Sequence, residues 1–169
     1  LTSKGAALIG SPLGLVNISE IAKSKFISAL IFGNEDYEAE IFSRTGQTAA
    51  DILPVRATIA INAKANDLLA IDTVTIDFKN EDLLRDQISS AVRLGFDGKL
   101  CLSPREIKVV NELFSPTKQE IAEANKILEL NELSIKNGSG VAIMSSKFIG
   151  PPMVKKAQKL ISYYERGRK

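Results

Sequence analysis

The chain of 169 residues contains no histidine, no tryptophan and a single cysteine, Cys101. Without histidine, the sequence excludes a Ser-His-Asp triad, a Cys-His dyad and a zinc site with histidine ligands. One cysteine cannot form an internal disulfide or a metal site built from several thiolates. Catalytic and metal-binding chemistry of these kinds is therefore ruled out before any element of the fold is considered.

The sequence also lacks a large excess of positive or negative charge. The sequence has 22 Lys and Arg residues against 20 Asp and Glu residues, which gives a formal net charge of +2. A nucleic-acid-binding protein needs a basic face or stripe, so we expect no nucleic-acid partner. Hydrophobic residues make up 44% and charged residues 25%, a balance that is typical of a globular protein.

No apolar stretch approaches the roughly 20 residues that a membrane-spanning helix requires, so we expect no membrane partner. No N-terminal secretion pattern is visible, and a lone thiol suits a reducing compartment. These features predict a cytoplasmic protein. The chain begins with Leu1 rather than Met. We therefore expect it to be part of a longer protein.

Four short apolar runs predict strands, at residues 6–9, 29–32, 68–71 and 94–102. Each run is nearly continuous rather than alternating, a pattern that is typical of strands buried on both faces of a parallel sheet. Helical patterns lie between them, at 17–20, 49–65 and 81–93. The alternation predicts an α/β fold made of βα units.

The last third of the sequence has a different, mainly helical pattern. Helices are predicted at 104–113, after Ser103, and at 117–133, where Thr117 and Glu120 suit a capping box. Residues 136–140 predict a flexible joint, and a basic helix follows at 152–166. We therefore predict two regions, 1–114 with the strands and 115–169 as a helical extension.

The segment that follows the second predicted strand carries the first candidate site. Asp36 lies in the sequence FGNED at 32–36, and a carboxylate in such a loop suits Mg²⁺, which prefers oxygen ligands. Gly33 would let the backbone turn tightly and direct amides at an anionic ligand. The alternative is a structural role, in which Asp36 is one of several acidic residues in the first turn of a helix.

Three further residues have alternative interpretations. Asp72, at the end of the third strand, could contact a substrate or cap a turn. Lys99 could meet a phosphate or carboxylate, or be a solvated lysine beside a turn. Cys101, flanked by two leucines, is expected to be a buried and unreactive thiol.

Several segments occur together in one order that matches a known family. They are GSPLGL within 9–15, FGNED at 32–36, AIDTV at 70–74, GFDGKLC at 95–101, FSPT at 114–117 and KFIGPPMV at 147–154. This series resembles the citrate lyase beta subunit family, a group of acyl-CoA carbon–carbon lyases that includes the malyl-CoA and citramalyl-CoA lyases. The resemblance covers essentially the whole chain.

This resemblance implies a (β/α)₈ TIM barrel that binds Mg²⁺ and forms a homo-oligomer, a trimer or a hexamer. Residues 1–114 would then supply strands five to eight, and 115–169 the C-terminal helical extension. The first half of the barrel, which carries a catalytic arginine in the family, is missing from this sequence.

The resemblance also implies an activity. The family cleaves a 3-hydroxy-acyl-CoA of the citryl-CoA or malyl-CoA type into acetyl-CoA and a keto acid. Asp36 matches the metal-binding aspartate of the family. Gly33, Asn34 and Glu35 match the segment whose backbone amides hold the substrate carboxylate. The partner would thus be an acyl-CoA or a keto acid, and no catalytic residue of this chain is assigned.

Three departures from the family pattern favour other functions. Gly10 replaces a metal-binding glutamate, Gly150 replaces an aspartate that reaches a neighbouring subunit, and Ser103 replaces the histidine of a His-Pro pair. A degenerate, non-catalytic binding or assembly subunit is therefore an alternative. A third is an aldolase that acts on pyruvate-like substrates.

Overall fold

The chain divides after Phe114 into two units, Leu1–Phe114 and Ser115–Lys169. The computed structural model describes residues 4–138, 142–144 and 147–166. The elements of the first unit are β1 (Gly5–Ile9), α1 (Pro12–Val16), α2 (Ile18–Ala22), β2 (Ile27–Phe32), α3 (Asn34–Glu40), α4 (Ala49–Ala65), β3 (Leu69–Asp72), α5 (Glu81–Leu94), β4 (Gly98–Lys99) and α6 (Pro104–Phe114).

The first unit contains a four-stranded sheet in the order β1-β2-β3-β4. All three neighbouring pairs are parallel, and Ile31 aligns with Leu8 on one side and with Ile71 on the other. Helices separate the strands along the chain. The predicted α/β fold with a parallel sheet is therefore confirmed. The carboxyl ends of all four strands consequently lie at one edge, where α/β proteins usually place their sites.

The predicted fourth strand is much shorter in the structure. Only Gly98 and Lys99 pair with β3, whereas Leu94 is the last residue of α5. Gly95 caps that helix with a φ of 91°, a left-handed conformation in which a side chain would be strained. The apolar run at 94–102 thus contains a helix end, a turn and a two-residue strand.

Within this chain one face of the sheet is buried and the opposite face is largely exposed, so burial of the strands on both faces is not seen among the described residues. On the covered face, Leu30 and Phe32 of β2 are fully buried together with Ile9 and with Ile59 of α4. The opposite face includes Leu8 and Leu69, whose exposed fractions are 53% and 52%. The apolar runs look continuous because this open face is apolar as well.

Local capping explains where the helices begin. α4 has the predicted bounds, and Thr48 and Asp51 form a capping box at its start. Asn17 and Glu20 suit a capping box by their spacing but do not form one, because the Glu20 carboxylate binds Lys23 and the Asn17 side chain donates to Leu13. No helix in the described ranges is long and apolar enough to cross a bilayer.

The described residues of the second unit form two helices and a pair of antiparallel strands. Its elements are α7 (Lys118–Lys136), β5 (Ala142–Met144), β6 (Lys147–Ile149) and α8 (Pro151–Arg166). The predicted capping box at Thr117 and Glu120 is present at the start of α7. β5 and β6 pair antiparallel, and Ile149 is buried with Ile127 of α7. Part of the predicted joint, residues 139–140, lies outside the described residues.

Candidate active site

The ends of β1 and β2 approach each other through two glycines. Gly33 donates a hydrogen bond to the carbonyl of Ile9 at 2.9 Å. A Cβ atom added to Gly33 would lie 3.3 Å from the Cα of Gly10 and 3.2 Å from the side chain of Leu8. Any larger residue at position 33 would therefore push the two strand ends apart. This close approach places the start of α3 against the end of β1.

Asp36 lies on α3 directly opposite Gly10. A Cβ atom added to Gly10 would be 3.0 Å from the Cβ of Asp36 and 3.3 Å from its Oδ2. The two residues line an open depression of about 440 Å³. The other residues that line it are Leu8, Ser11, Ala39 and Glu40. The carboxylate of Asp36 thus occupies the space that a side chain at position 10 would need.

The polar atoms of this segment are incompletely paired. Asp36 is exposed, and its carboxylate accepts no hydrogen bond and forms no ion pair within the described residues. The side-chain Oδ1 of Asn34 is buried and has no hydrogen-bond partner among them either. Buried oxygens without partners are uncommon and call for an explanation such as a bound ligand. The Asp36 carboxylate and the Asn34 Oδ1 are therefore candidate contacts for a ligand or a cation.

The backbone amides of the segment divide into two groups. Gly33 donates to Ile9, and Asn34 donates to the hydroxyl Oγ1 of Thr73 at 3.3 Å. The amides of Glu35 and Asp36, in the first turn of α3, donate no hydrogen bond within the described residues. The first amides of any helix lack partners inside the helix. Of the predicted segment, Glu35 and Asp36 therefore keep amides that are available to an anion.

The donor set at this depression suits a hard cation only in part. Mg²⁺ is usually held by one or two carboxylates and completes its octahedral shell with water and ligand oxygens. Asp36 supplies one such carboxylate, and Glu40 lines the same depression. Ser11 is less available, because its hydroxyl accepts from Gly14 and caps α1. No described group of three or more His, Cys, Asp or Glu side chains is arranged to hold a metal ion.

Asp72 has neither of the roles that the sequence left open. It is 1% exposed and binds the guanidinium of Arg56 through both of its carboxylate oxygens, at 3.1 and 2.6 Å. Arg56 also donates to the hydroxyl of Ser90 at 3.0 Å and lies over the ring of Phe96. Asp72 is therefore part of a buried ion pair that ties α4 to the end of β3.

Lys99 is buried at the end of β4, which corrects both predicted roles. Its ammonium donates to the carbonyl of Thr73 and to Oε1 of Gln87, the latter at 3.2 Å. Burial, which the Asp72 carboxylate opposes and the Arg56 guanidinium assists, lowers the pKa of Lys99 to about 8. Lys99 therefore retains its charge at neutral pH and holds the residue that follows β3.

The residues after β4 are held by Glu106 of α6. Its Oε2 accepts from the amides of Leu102 and Ser103, at 2.7 and 2.9 Å, and its Oε1 is buried without a partner among the described residues. Ser103 accepts from the amide of Arg105, as predicted for the cap of this helix. The Ser103 position thus serves the start of α6.

Cys101 differs from its expected environment. The residue is exposed, although its Sγ lies 3.9 Å from the carbonyl of Lys99. Partial burial of the thiol and the nearby Glu106 carboxylate raise its pKa. A thiol with a raised pKa holds little of the reactive thiolate at neutral pH. The predicted lack of reactivity therefore has a different cause from the one expected.

Arg56, Gln87 and Glu106 were not singled out from the sequence. One pattern could have identified Arg56: it lies three residues before Ile59 and four before Ala60, both on the buried face of α4. A charged residue on such a face requires a buried partner. Its partner, Asp72, lies 16 residues away on a different element. The pairing depends on how α4 packs on the sheet.

Two known proteins of similar sequence are lyases by name. Citramalyl-CoA lyase, a mitochondrial protein of Rattus norvegicus, is 32% identical over 91% of this chain and 48% of its own length. The citrate lyase subunit beta of Haemophilus influenzae is 30% identical over 98% of this chain and 57% of its own length. The chain thus spans about half the length of the curated relatives that it matches.

A solved structure and a family model agree with these relatives. The citrate lyase beta subunit of M. tuberculosis, solved with oxaloacetate and magnesium, superposes with a TM-score of 0.62 and 29% identity over 67% of this chain and 53% of that one. Residues 4–104 match the model of the HpcH/HpaI aldolase/citrate lyase family. This match takes in more than half of the chain and confirms the resemblance seen in its motifs, so the chain belongs to the HpcH/HpaI aldolase/citrate lyase family.

Proposed function

We propose that this chain is part of a Mg²⁺-dependent carbon–carbon lyase that cleaves a 3-hydroxy-acyl-CoA of the citryl-CoA or malyl-CoA type. The products would be acetyl-CoA and a keto acid. The names of the relatives support this class of reaction, and the M. tuberculosis structure contains both magnesium and a keto acid. The single observation that carries the proposal is the Asp36 carboxylate, which lies beside the end of β1 and has no partner among the described residues.

The reaction breaks the bond between the hydroxyl-bearing carbon and the carbon next to the thioester. The hydroxyl gives up its proton and becomes the keto oxygen, while the electron pair of the broken bond moves into the thioester enolate. That enolate takes up a proton to yield acetyl-CoA. A bound Mg²⁺ would polarise the developing keto oxygen as a Lewis acid.

The residues of this chain would bind and orient the keto-acid part of the substrate. Asp36 would hold the cation, with Glu40 as a further carboxylate at the same depression. The amides of Glu35 and Asp36 lie at the positive end of α3 and would donate hydrogen bonds to a substrate carboxylate. Gly33 and Asn34 would contribute by fixing this turn through their bonds to Ile9 and Thr73.

The proposal includes a complete barrel. The open sheet face with Leu8 and Leu69 is apolar, and β1 and β4 are edge strands of this sheet. Parallel sheets are normally covered on both faces. We propose that β1–β4 are strands five to eight of a (β/α)₈ barrel, with Ser115–Lys169 as its C-terminal extension. The homo-oligomer and the cytoplasmic location remain predictions.

The test uses the full-length protein and two ligands, Mg²⁺ and oxaloacetate. Thermal unfolding should shift upward when both are added, because a ligand stabilises the state that binds it. The variant Asp36→Asn should lose the shift, since an amide is a poorer Mg²⁺ ligand than a carboxylate. Glu40→Gln should reduce it less. Glu123→Gln, on an exposed position of α7, is the matched control and should behave as the unmodified protein does.

Turnover is then measured by release of acetyl-CoA from citryl-CoA and from malyl-CoA. Release that requires Mg²⁺ and is lost in Asp36→Asn supports the proposal. An Asp36→Asn protein that binds Mg²⁺ and cleaves either thioester at the unmodified rate would remove Asp36 from the site and overturn the proposal.

A non-catalytic binding subunit is the second candidate, and one feature favours it. At position 10 the family has a glutamate, whereas here Gly10 provides no ligand and Asp36 fills the adjacent space. A protein of this kind would show the Mg²⁺- and oxaloacetate-dependent shift but no release of acetyl-CoA from either thioester. The two measurements above therefore separate the two functions.

A further inference from the structure

Lys99 connects the ends of two neighbouring strands. It is the last residue of β4 and is only 7% exposed. Its ammonium donates to the backbone carbonyl of Thr73, the residue that follows β3. It also donates to Oε1 of Gln87 at 3.2 Å, and the same oxygen accepts from the hydroxyl of Thr75 at 2.7 Å. Hydrogen bonds from Lys99 and Gln87 thus hold Thr73 and Thr75, which follow β3, in one buried network.

Thr73 connects this network to the candidate site. Its hydroxyl oxygen accepts a hydrogen bond of 3.3 Å from the amide of Asn34, which is the first residue of α3. Asp36 lies two residues further along the same helix. Two hydrogen bonds therefore lead from the Lys99 ammonium to the turn that presents the Asp36 carboxylate. No contact between Lys99 and Asp36 themselves is needed.

The strength of the hydrogen bond from Lys99 to Thr73 depends on the charge of Lys99, which the surrounding groups control. Burial lowers its pKa most; Asp72 and Glu106 oppose this shift and the Arg56 guanidinium adds to it, so that the pKa lies at about 8. The thiol of Cys101 is the remaining titratable neighbour. A charged donor forms a stronger hydrogen bond to a carbonyl than a neutral amine does. The hold on Thr73 should accordingly weaken as Lys99 loses its proton.

We propose that Lys99 is a positioning residue for the ligand-binding turn: it holds Thr73, and through Thr73 it fixes the start of α3 and the Asp36 carboxylate. Describing the turn as ligand-binding rests on the proposed function. The hydrogen-bonded link from Lys99 through Thr73 to Asn34, the mechanical part of the proposal, does not depend on that function.

The mechanical part is tested without any ligand, by amide hydrogen exchange measured residue by residue in the full-length protein. The readout is the exchange rate of the Asn34 amide divided by that of Ala70, whose amide donates to Asp97. Lys99→Met, which removes the charge, should raise this ratio about fivefold, the effect of losing roughly one hydrogen bond. Thr73→Val should raise it similarly, and Lys108→Met, an exposed lysine on α6, should not.

The same exchange ratio measured over a range of pH is a second readout, and it tests the link from Lys99 to Asn34 even if Lys99→Met fails to fold. Between about pH 7 and about pH 9 the ratio should rise in the unmodified protein, because Lys99 loses its proton there. It should stay level in Lys99→Arg, since arginine remains charged. Equal rises in both proteins, or an unchanged ratio in a folded Lys99→Met protein, would overturn the proposal.

The functional part uses Mg²⁺ with oxaloacetate as the probe, by titration calorimetry at about pH 7. Lys99→Met should bind severalfold more weakly than the unmodified protein, and Lys108→Met equally well. If Lys99→Met changes the exchange rate at Asn34 but binds Mg²⁺ and oxaloacetate as tightly as the unmodified protein, the claim that Lys99 positions the ligand-binding turn is overturned. If the unmodified protein binds no probe, the proposed function fails, whereas the exchange experiment still decides the link from Lys99 to Asn34.

Discussion

Arg56 and Asp72 form a two-bonded ion pair, with nitrogen–oxygen distances of 3.1 and 2.6 Å, between α4 and the carboxyl end of β3. Both side chains are almost fully buried, at 4% and 1% exposure. The pair lies next to the Lys99 network, since Arg56 also donates to the carbonyl of Gln87 at 3.3 Å. The ion pair therefore joins α4 to the hydrogen-bond network at the ends of β3 and β4.

Breaking this pair from one side should be strongly destabilising. We expect Asp72→Asn or Arg56→Met to lower the free energy of unfolding by about 3–5 kcal/mol, because either change leaves a buried group without its ionic partner. Urea denaturation measures the change. Lys23→Met, which removes an exposed ion pair with Glu20, should cost at most about 1 kcal/mol. Equal losses in the buried and exposed variants would contradict this interpretation.

A methyl group at position 10 should disturb Asp36. The added Cβ would lie 3.0 Å from the Cβ of Asp36 and 3.3 Å from its Oδ2, so Asp36 would have to shift by a few tenths of an ångström. We expect Gly10→Ala to cost about 1–3 kcal/mol of unfolding free energy and to weaken Mg²⁺-dependent stabilisation. Ser28→Ala, on the exposed part of β2, is the control. Unaltered stability and Mg²⁺ response would show that α3 yields without cost.

The stability of the protein should depend on pH through Lys99. An unfolded lysine has its usual pKa of 10.5, whereas burial lowers that of Lys99 to about 8. Between these values the unfolded state binds more protons, so the free energy of unfolding should rise with pH; below about pH 8 the cost of the buried charge is present in full. The rise amounts to roughly 3 kcal/mol at 1.36 kcal/mol per pH unit.

The measurement compares urea denaturation of the unmodified protein with that of Lys99→Met from about pH 7 to about pH 10. Subtracting the two curves removes the other titrating groups, which both proteins share. A difference that does not change over this range would show that Lys99 is not charged and buried in the folded protein.

The open sheet face should be covered in the full-length protein. In a variant with Cys101→Ser, we expect Leu69→Cys to react slowly with a water-soluble maleimide, because further strands would close over it. Val92→Cys, on the outer side of α5, should react fast; in this chain the two positions are 52% and 45% exposed. Equally fast labelling of both would mean that nothing covers the sheet.

Local patterns were sufficient for several elements. The bounds of α4 follow from a capping box at Thr48 and Asp51 and from apolar spacing, all within one stretch of chain. The start of α7 is likewise marked by the predicted box of Thr117 and Glu120, whereas its end at Lys136 lies beyond the predicted end at 133. Signals of this kind act over three or four residues, so they can be recognised without knowing the tertiary structure.

The apolar run at 94–102 shows where local patterns fail. A run of apolar residues has no marker for the point at which a helix ends and a strand begins, and here Gly95 decides it through its left-handed conformation. Asp36 was placed correctly after β2, and its role as a metal ligand remains a prediction. That its carboxylate lies against Gly10 depends on how two strand ends meet.

The sequence alone determined the parallel α/β fold, the order of its four parallel strands along the chain and the family, because periodicity, caps and motifs depend on neighbouring residues. It also indicated 33–36 as the candidate site, a role that remains a prediction. Only the tertiary structure decided that Asp72 is paired with Arg56 and that Lys99 is buried against Thr73. The partners in these contacts lie 16 and 26 positions apart. Which charged groups meet depends on the packing of helices against the sheet, where burial without a partner costs too much free energy to be tolerated.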